Sequence, residues 1–99
     1  DSDIRIREST ALTALPAMPN LNVIGGELEI NDNGATGVLI TDLGFDALTT
    51  IGNLLEIEYN FFDNTVYSGS ADVETHFTDN TGWVGWGSLD ISGNTYEAP

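Results

Sequence analysis

The sequence predicts an all-β fold, a parallel β-solenoid of about four coils with an insertion in the third coil. The first observation is a repeat: the segment LNVIGGELEINDN at residues 21–33 returns as LTTIGNLLEIEYN at residues 48–60, with six apolar, glycine and asparagine positions matching at an offset of 27. The second is a Leu-x-Ile alternation that recurs along the chain. A repeat of 20–50 residues indicates stacked structural units, and a period of two is typical of a strand with one buried face.

Four strands are predicted, and they begin at Ile4, Leu28, Leu55 and Leu89, with spacings of 24, 27 and 34 residues. The segment before each of the two central strands carries apolar residues at every third position. This spacing suits a short helical or 3₁₀ turn with one side on the core. The two sets are Met18, Leu21 and Ile24, and Phe45, Leu48 and Ile51.

An asparagine follows three of the predicted strands, at positions 33, 60 and 94. Where the backbone turns at the end of a strand, its amide groups lose their partners in the sheet. An Asn side chain carries both donors and an acceptor, so it can satisfy these groups and bridge to the next coil. We therefore predict that Asn33, Asn60 and Asn94 stack as a structural ladder.

The combined pattern Phe/Met-x-x-Leu-x-x-Ile-Gly-Gly/Asn-x-Leu-x-Ile-x-x-Asn resembles the receptor L-domain branch of the leucine-rich repeat proteins. The resemblance extends over residues 15–60 and 84–94, and it is thinner at residues 3–9. It implies a right-handed β-solenoid of the short type found in bacterial and fungal surface proteins. It also implies a role in binding or cell-surface structure rather than catalysis.

The third coil contains the insertion, at about residues 61–83, within a single domain of residues 1–99. Its aromatic and β-branched residues predict a hairpin or lobe that leans on the solenoid. Trp83 and Trp86 flank the return into the last strand, where they either seal the insertion against the solenoid or offer a surface to a sugar or protein partner. His76, within the insertion, is predicted to be a loop residue.

The charge balance excludes whole classes of partner. Sixteen Asp and Glu residues stand against two Arg and no Lys, which gives a formal net charge of −14. Nucleic acids and anionic membrane surfaces bind through Lys and Arg, so neither is an expected partner. No run of apolar residues is long enough for a membrane span.

Stacking the predicted strands in register produces a column of charges on the outer face of the sheet. Its members are Arg5, Glu29, Glu56 and Asp90, and a second column holds Arg7, Asn31, Glu58 and Ser92. Carboxylates about 4.8 Å apart repel one another unless a cation or a basic partner lies on them. Glu29, Glu56 and Asp90 are therefore a candidate calcium site or a docking face for a basic ligand. The alternative is a solvated acidic face that keeps the protein soluble.

Other metal and catalytic motifs are incomplete. Residues 29–34 resemble the start of an EF-hand loop, but Ile40 stands where the loop needs a glutamate. A single histidine excludes a multi-histidine zinc centre within the chain. No nucleophile motif of the Gly-x-Ser-x-Gly type is present. We predict that the protein is not an enzyme and has no cofactor apart from a possible calcium ion.

The predicted function is an extracellular or cell-surface module for adhesion or assembly. The ends of the solenoid are expected to meet other copies, in a head-to-tail filament, or to continue a larger solenoid. The predicted interface residues are Arg5, Arg7, Asp90, Trp83 and Trp86. The alternative is a receptor-type module that binds a protein or glycan ligand on its acidic face or its aromatic insertion.

Overall fold

Residues 2–99, which the computed structural model describes, form seven β-strands and one α-helix. The strands of the main sheet are β1 (Ile4–Arg7), β2 (Val23–Ile24), β3 (Leu28–Asn31), β4 (Thr50–Glu58) and β6 (Gly85–Ser92). A second, two-stranded sheet contains β5 (Phe61–Asp63) and β7 (Thr95–Glu97), and the helix α1 spans Ser70–Thr78.

The five-stranded sheet is parallel, with the order β1-β3-β4-β2, and β6 also pairs with β4. Strand β4 is the longest and contacts three other strands of this sheet. The Leu-x-Ile segments pair in the predicted register: Ile4 with Leu28, Leu28 with Leu55, and Leu55 with Leu89. The outer charged positions are therefore also neighbours across the sheet.

The prediction of an all-β right-handed parallel β-solenoid of about four coils is wrong. The protein is mixed α/β, with a five-stranded parallel sheet and one helix. The repeat in the sequence correctly locates strands, but a repeated strand does not dictate what connects it to the next one. The helical turns predicted over Met18–Ile24 and Phe45–Ile51 form only in part. Each segment has one hydrogen-bonded turn, from Leu21 N to Met18 O and from Leu48 N to Phe45 O, whereas Ile24 and Ile51 lie in β2 and β4.

Helix α1 lies in the segment that was predicted to form a hairpin or lobe. Val73 and Phe77, four residues apart, are both fully buried on its inner side. This spacing matches one face of a helix, whereas a strand would bury every second residue. At the start of the helix, the backbone N–H and the hydroxyl of Ser68 both donate to the Asp72 carboxylate, at 2.8 and 2.6 Å. These bonds lower the pKa of Asp72.

The core lies between the inner face of the main sheet, the connecting segments and α1. Leu28, Ile30, Leu55 and Ile57 of the two central strands have no exposed surface. They belong to one cluster with three buried phenylalanines from different segments: Phe45, Phe62 and Phe77. The equivalent residues of the outer strands are only partly buried against this cluster: Ile4, Ile6, Leu89 and Ile91.

The backbone adopts the left-handed conformation directly after four strands of the main sheet. The residues there are Glu8, Asp32, Tyr59 and Gly93, with φ between 56° and 67°. All four are exposed at the surface. A side chain at Gly93 would collide with the ring of Tyr59, so the two positions lie against each other.

The asparagines that follow these turns form a continuous hydrogen-bonded ladder. Asn60 Nδ2 donates to Asn94 Oδ1 at 3.0 Å, and Asn33 Nδ2 donates to Asn60 Oδ1 at 3.0 Å. Each Oδ1 also accepts a backbone N–H from the neighbouring strand end, from Ser9, Asn33 and Asn60 in turn. Asn33 and Asn60 are completely buried. Their side chains satisfy main-chain groups where the sheet ends.

Candidate functional site

The outer face of the main sheet carries the charged column, and the structure places its members next to one another. Arg5 pairs with Glu29, Glu29 with Glu56, and Glu56 with Asp90 across the sheet. The second column runs beside it in the same way, through Arg7, Asn31, Glu58 and Ser92. Positive charge lies on β1, at one edge, and negative charge collects towards β6.

Glu29 lies at the basic end and is held by both arginines. Arg5 Nε donates to Glu29 Oε2 at 2.9 Å, and Arg7 Nη2 donates to Glu29 Oε1 at 2.6 Å. Arg5 also reaches Asp3 at 3.2 Å. Glu29 is only 7% exposed, but the side chains of Arg5 and Arg7 remain 45% and 50% exposed. Each guanidinium has five N–H donors, so both have donors left for a further acceptor.

The ionisation of Glu29 reflects this pairing. Burial acts to raise its pKa, but the hydrogen bonds from Arg7, Glu27 and Arg5 outweigh burial and hold the pKa below its ordinary value. Glu27 shows the opposite shift, because its hydrogen bond with Glu29, burial and the neighbouring negative charges raise its pKa. Glu29 is therefore a stably ionised partner of the two arginines.

The acidic end contains three carboxylates without a basic neighbour among the described residues. One oxygen from each of Glu56, Glu58 and Asp90 lies within 4.8 Å of the others. Their polar neighbours are neutral: Asn31 Nδ2 donates to Glu56 at 2.8 Å, and Ser92 Oγ lies 3.0 Å from Glu58 and 2.9 Å from Asp90. We call these three residues the acidic trio.

The close approach of the three carboxylates in the acidic trio shifts the pKa of Glu58. Burial, the hydrogen bond shared with Asp90, and the charges of Glu56 and Asp90 raise its pKa, while the Ser92 hydroxyl partly offsets them. A cation or a basic side chain placed on the trio would relieve this repulsion.

The predicted calcium ligands are thus not brought together as one group. Glu56 and Asp90 lie in the acidic trio, but Glu29 is bound by the arginines. The sequence analysis missed Glu58 as a member. The sequence analysis had placed Glu58 in the second column. Because long side chains reach diagonally between adjacent columns of a sheet, that position already indicated that Glu58 could contact Glu56 and Asp90. Asn33, in the segment that resembles an EF-hand loop, is buried in the asparagine ladder.

Trp83 and Trp86 lie at the entrance of β6, with ring centroids 5.6 Å apart. Trp83 also lies 6.5 Å from Phe77 of α1. Both tryptophans pack against the core and keep part of their surface exposed. They therefore connect the helix to the same edge of the sheet that carries Asp90.

His76, which was predicted to be a loop residue, lies in the last turn of α1. Asp42 and Asp46, in the segment between β3 and β4, approach its imidazole ring. One ligand atom from each of these three residues lies within 4.8 Å of the other two. The sequence analysis did not single out either aspartate, because only the fold brings residues 42–46 to the helix.

No protein-family model, curated protein or solved structure matches this chain. The resemblance to receptor L-domain repeats therefore stays a prediction. Across the part of the chain that the structure describes, no helix combines the length and the apolar character that a membrane crossing requires.

Proposed function

We propose that the protein is an interaction module that associates with further copies of itself through the two edges of its main sheet. In this arrangement, β1 of one copy pairs in parallel with β6 of the next. The observation that carries the proposal is the separation of charge along a column in continuous register, with both arginines on one edge and Asp90 on the other. An extracellular or cell-surface location stays a prediction.

The main chain of both edges favours this pairing. Within residues 2–99, β1 pairs with β3 alone and β6 with β4 alone. Such edges present unpaired N–H and C=O groups and are templates for a further strand. Because the existing pairs are all parallel, a copy added in the same sense continues the sheet.

The apolar residues at the edges also favour a partner. Leu28 and Leu55 are completely buried between neighbouring strands, whereas Ile4 and Leu89, at the same position of the outer strands, are only partly buried. Placing β1 on β6 would cover both, at about 25 cal/mol for each Å² of apolar surface removed from water.

Charge complementarity sets the register of the joint. Continuing the observed pairing places Ile4 of one copy beside Leu89 of the next, and Arg5 beside Asp90. The exposed guanidinium groups would then lie against the acidic trio, where basic groups are lacking. Since the two surfaces differ, the contact is heterologous and produces a filament, or a ring if the rotation closes.

Charge-reversal variants test the proposed contact between β1 of one copy and β6 of the next. We expect the protein to increase in mass with concentration in sedimentation velocity and light scattering. Arg5→Glu alone and Asp90→Arg alone should each remain monomeric, because the joint then opposes like charges. An equimolar mixture of the two variants should assemble, because every contact between unlike chains pairs opposite charges.

The mixture also controls for misfolding, because a variant that has lost its fold cannot be rescued by mixing. A wild-type chain that stays monomeric at millimolar concentration would overturn the proposal. So would a mixture of folded variants that stays monomeric while the wild type assembles.

The acidic trio also favours a second candidate, the binding of a basic protein ligand. A peptide rich in arginine should then bind the monomeric Arg5→Glu variant. Glu56→Gln combined with Glu58→Gln should weaken that binding, measured by calorimetry. Equal binding by both forms would exclude the trio as the ligand site.

A further inference from the structure

The asparagine ladder ends at β6 with hydrogen-bonding groups that a further strand end could satisfy. Within residues 2–99, β6 pairs with β4 alone, so no strand lies on its other side. We infer that Ser9 of a neighbouring copy occupies the next ladder position, and that its short side chain limits the strength of the contact between copies. This inference rests on the proposed self-association and concerns the same two edges of the main sheet.

Each asparagine of the ladder satisfies three groups of the preceding strand end. The Oδ1 of Asn60 accepts the backbone N–H and an Nδ2–H of Asn33, both at 3.0 Å. The Nδ2 of Asn60 donates to the carbonyl of Ile30 at 2.7 Å. Asn94 makes the same three bonds, to Asn60 and to the carbonyl of Ile57. One set of bonds is therefore repeated from strand end to strand end.

The same three groups await a partner at the end of β6. They are the backbone N–H of Asn94, one Nδ2–H of Asn94 and the carbonyl of Ile91, which pairs with Ile57 in the sheet. At the other strand ends these groups bind the asparagine of the next strand, and the chain contains no asparagine after Asn94. Asn33 and Asn60 are completely buried, whereas Asn94 is partly exposed. The outer side of Asn94 is thus accessible to a further ladder member.

Ser9 holds the asparagine position at the end of β1. Its backbone N–H donates to Asn33 Oδ1 at 3.1 Å, just as the N–H groups of Asn33 and Asn60 donate to the next asparagine. Its carbonyl accepts the N–H of Gly34 at 3.0 Å, as the Asn33 carbonyl accepts the N–H of Phe61. The backbone of Ser9 is that of a ladder member, and only its side chain differs.

The proposed register brings Ser9 of one copy to Asn94 of the next. Ser9 lies five residues after Ile4, and Asn94 lies five residues after Leu89. Placing Ile4 beside Leu89 therefore also aligns the two ladder positions. The N–H of Thr10 would then donate to the Asn94 carbonyl, in the same way as the bond from Gly34 to Ser9.

A serine completes this step of the ladder only in part. Its Oγ occupies the place of the asparagine Cγ and lies about 1.2 Å short of the position of Oδ1, so it does not reach the N–H groups of Asn94 at bonding distance. Its hydroxyl donates to the Arg7 carbonyl of its own chain at 3.3 Å. When two copies meet, the groups of Asn94 and Ile91 lose water without gaining full partners, which opposes association. Ser9 therefore keeps the contact between copies weaker than the contacts within one copy.

Replacing Ser9 by asparagine tests the inference. We expect Ser9→Asn to lower the concentration at which half of the chains are assembled by at least about tenfold, because the added bonds form only across the contact. Sedimentation velocity measures this concentration. The matched control is Thr10→Asn, which places the same amide at an exposed neighbouring position outside the ladder and should assemble as the wild type does.

Hydrogen exchange connects the gain to the ladder. The backbone amide of Asn94 should exchange more slowly in assembled Ser9→Asn than in the assembled wild type, whereas that of Asn60, already bonded within the chain, should not change. The gain should also depend on the two edges, so Ser9→Asn combined with Arg5→Glu should assemble far less than Ser9→Asn alone.

The outcomes separate this inference from the proposed self-association. If the charge-reversal variants respond as proposed but Ser9→Asn assembles no more strongly than the wild type, the inference is wrong and the self-association stands. If Ser9→Asn assembles equally well with and without Arg5→Glu, the association does not use β1 and β6, and both proposals are wrong. Equal gains in Ser9→Asn and Thr10→Asn would also overturn the inference, because the amide would then act outside the ladder.

Discussion

At the scale of single residues, two tyrosines show how much a buried hydroxyl depends on its partners. The Tyr67 hydroxyl accepts from Leu43 and contacts His76. The Tyr96 hydroxyl is the one buried side-chain polar atom that lacks a partner among the described residues. Both rings pack on Phe62, at centroid distances of 5.3 and 5.6 Å, so their apolar surroundings are comparable.

We expect the same substitution to have opposite effects at these two positions. Tyr96→Phe should raise the free energy of unfolding by about 1 kcal/mol, because it removes a polar group that is buried without a partner. Tyr67→Phe should lower it by about 1–3 kcal/mol, because it leaves the Leu43 N–H unpaired. Urea denaturation measures both, and equal losses at both positions would show that the Tyr96 hydroxyl does have a partner.

At the scale of elements, the ends of the strands are joined more specifically than their middles. Along the strands, main-chain hydrogen bonds are independent of side-chain identity, and the apolar contacts beneath them tolerate exchange of similar side chains. The asparagine ladder instead uses defined donors and acceptors between successive strand ends. Removing one member therefore affects the strands on both sides of it.

Asn60→Ala should lower the free energy of unfolding by at least about 2 kcal/mol. The substitution takes away the acceptor of Asn33 N–H and the donor to Ile30 O, and both of those residues are completely buried. Asn64→Ala is the matched control, because Asn64 is exposed. Thermal melts of the two variants should differ by several degrees, and coincident melts would contradict the ladder's role in stability.

The positions and register of the four Leu-x-Ile strands were predictable, because these repeats place the same face inward in each strand. The short strands β2, β5 and β7 were not predicted. The helix was not predicted, since the insertion is rich in aromatic and β-branched residues, which favour strands. The decisive signal was the spacing of four between Val73 and Phe77, with polar Thr75 between them. The placement of Arg5 and Asp90 in one column could likewise be predicted from the strand register. The proximity of Asp42 and His76 could not, because it depends on the packing of α1 beside the segment between β3 and β4.

At the scale of the whole molecule, charge is distributed unevenly over a body of 34 × 23 × 22 Å. Both arginines lie on β1, and the net charge is −14. Self-repulsion of this size destabilises the compact state and weakens as carboxylates are protonated. The stability of the protein should therefore depend on pH, and Glu29 and Glu58 should contribute to this dependence in opposite directions.

The two shifts have opposite signs. The pKa of Glu58 is raised in the folded state above its ordinary value of 4.5, so its contribution to stability falls as the pH rises through and above 4.5. The pKa of Glu29 is lowered, so its contribution is present above pH 4.5 and is lost as the pH falls through its lower folded value. We expect the melting temperature to rise on acidification towards pH 5 and then to fall below pH 4.5.

Two variants distinguish the contributions of Glu58 and Glu29 to the dependence of melting temperature on pH. Glu58→Gln should reduce the rise, and Glu29→Gln should reduce the fall at acid pH while lowering stability at pH 7. Calorimetric melts between pH 3 and pH 8 measure both effects. A Glu29→Gln profile that parallels the wild type below pH 4.5 would mean that the arginine pairing contributes nothing to stability.

The left-handed turns after the strands have a consequence for how freely this protein can vary. Four chemically different residues, Glu8, Asp32, Tyr59 and Gly93, occupy the same conformation, and all four are exposed. The conformation of the turn is therefore set by the hydrogen bonds of the asparagine ladder at the strand ends rather than by the residue in the turn. Glu8, Asp32 and Tyr59 follow neighbouring strands, about 4.8 Å apart, and their side chains can be exchanged for dyes, cross-linkers or recognition groups while the core beneath stays unchanged. Gly93 is the exception, because a side chain there would collide with the Tyr59 ring.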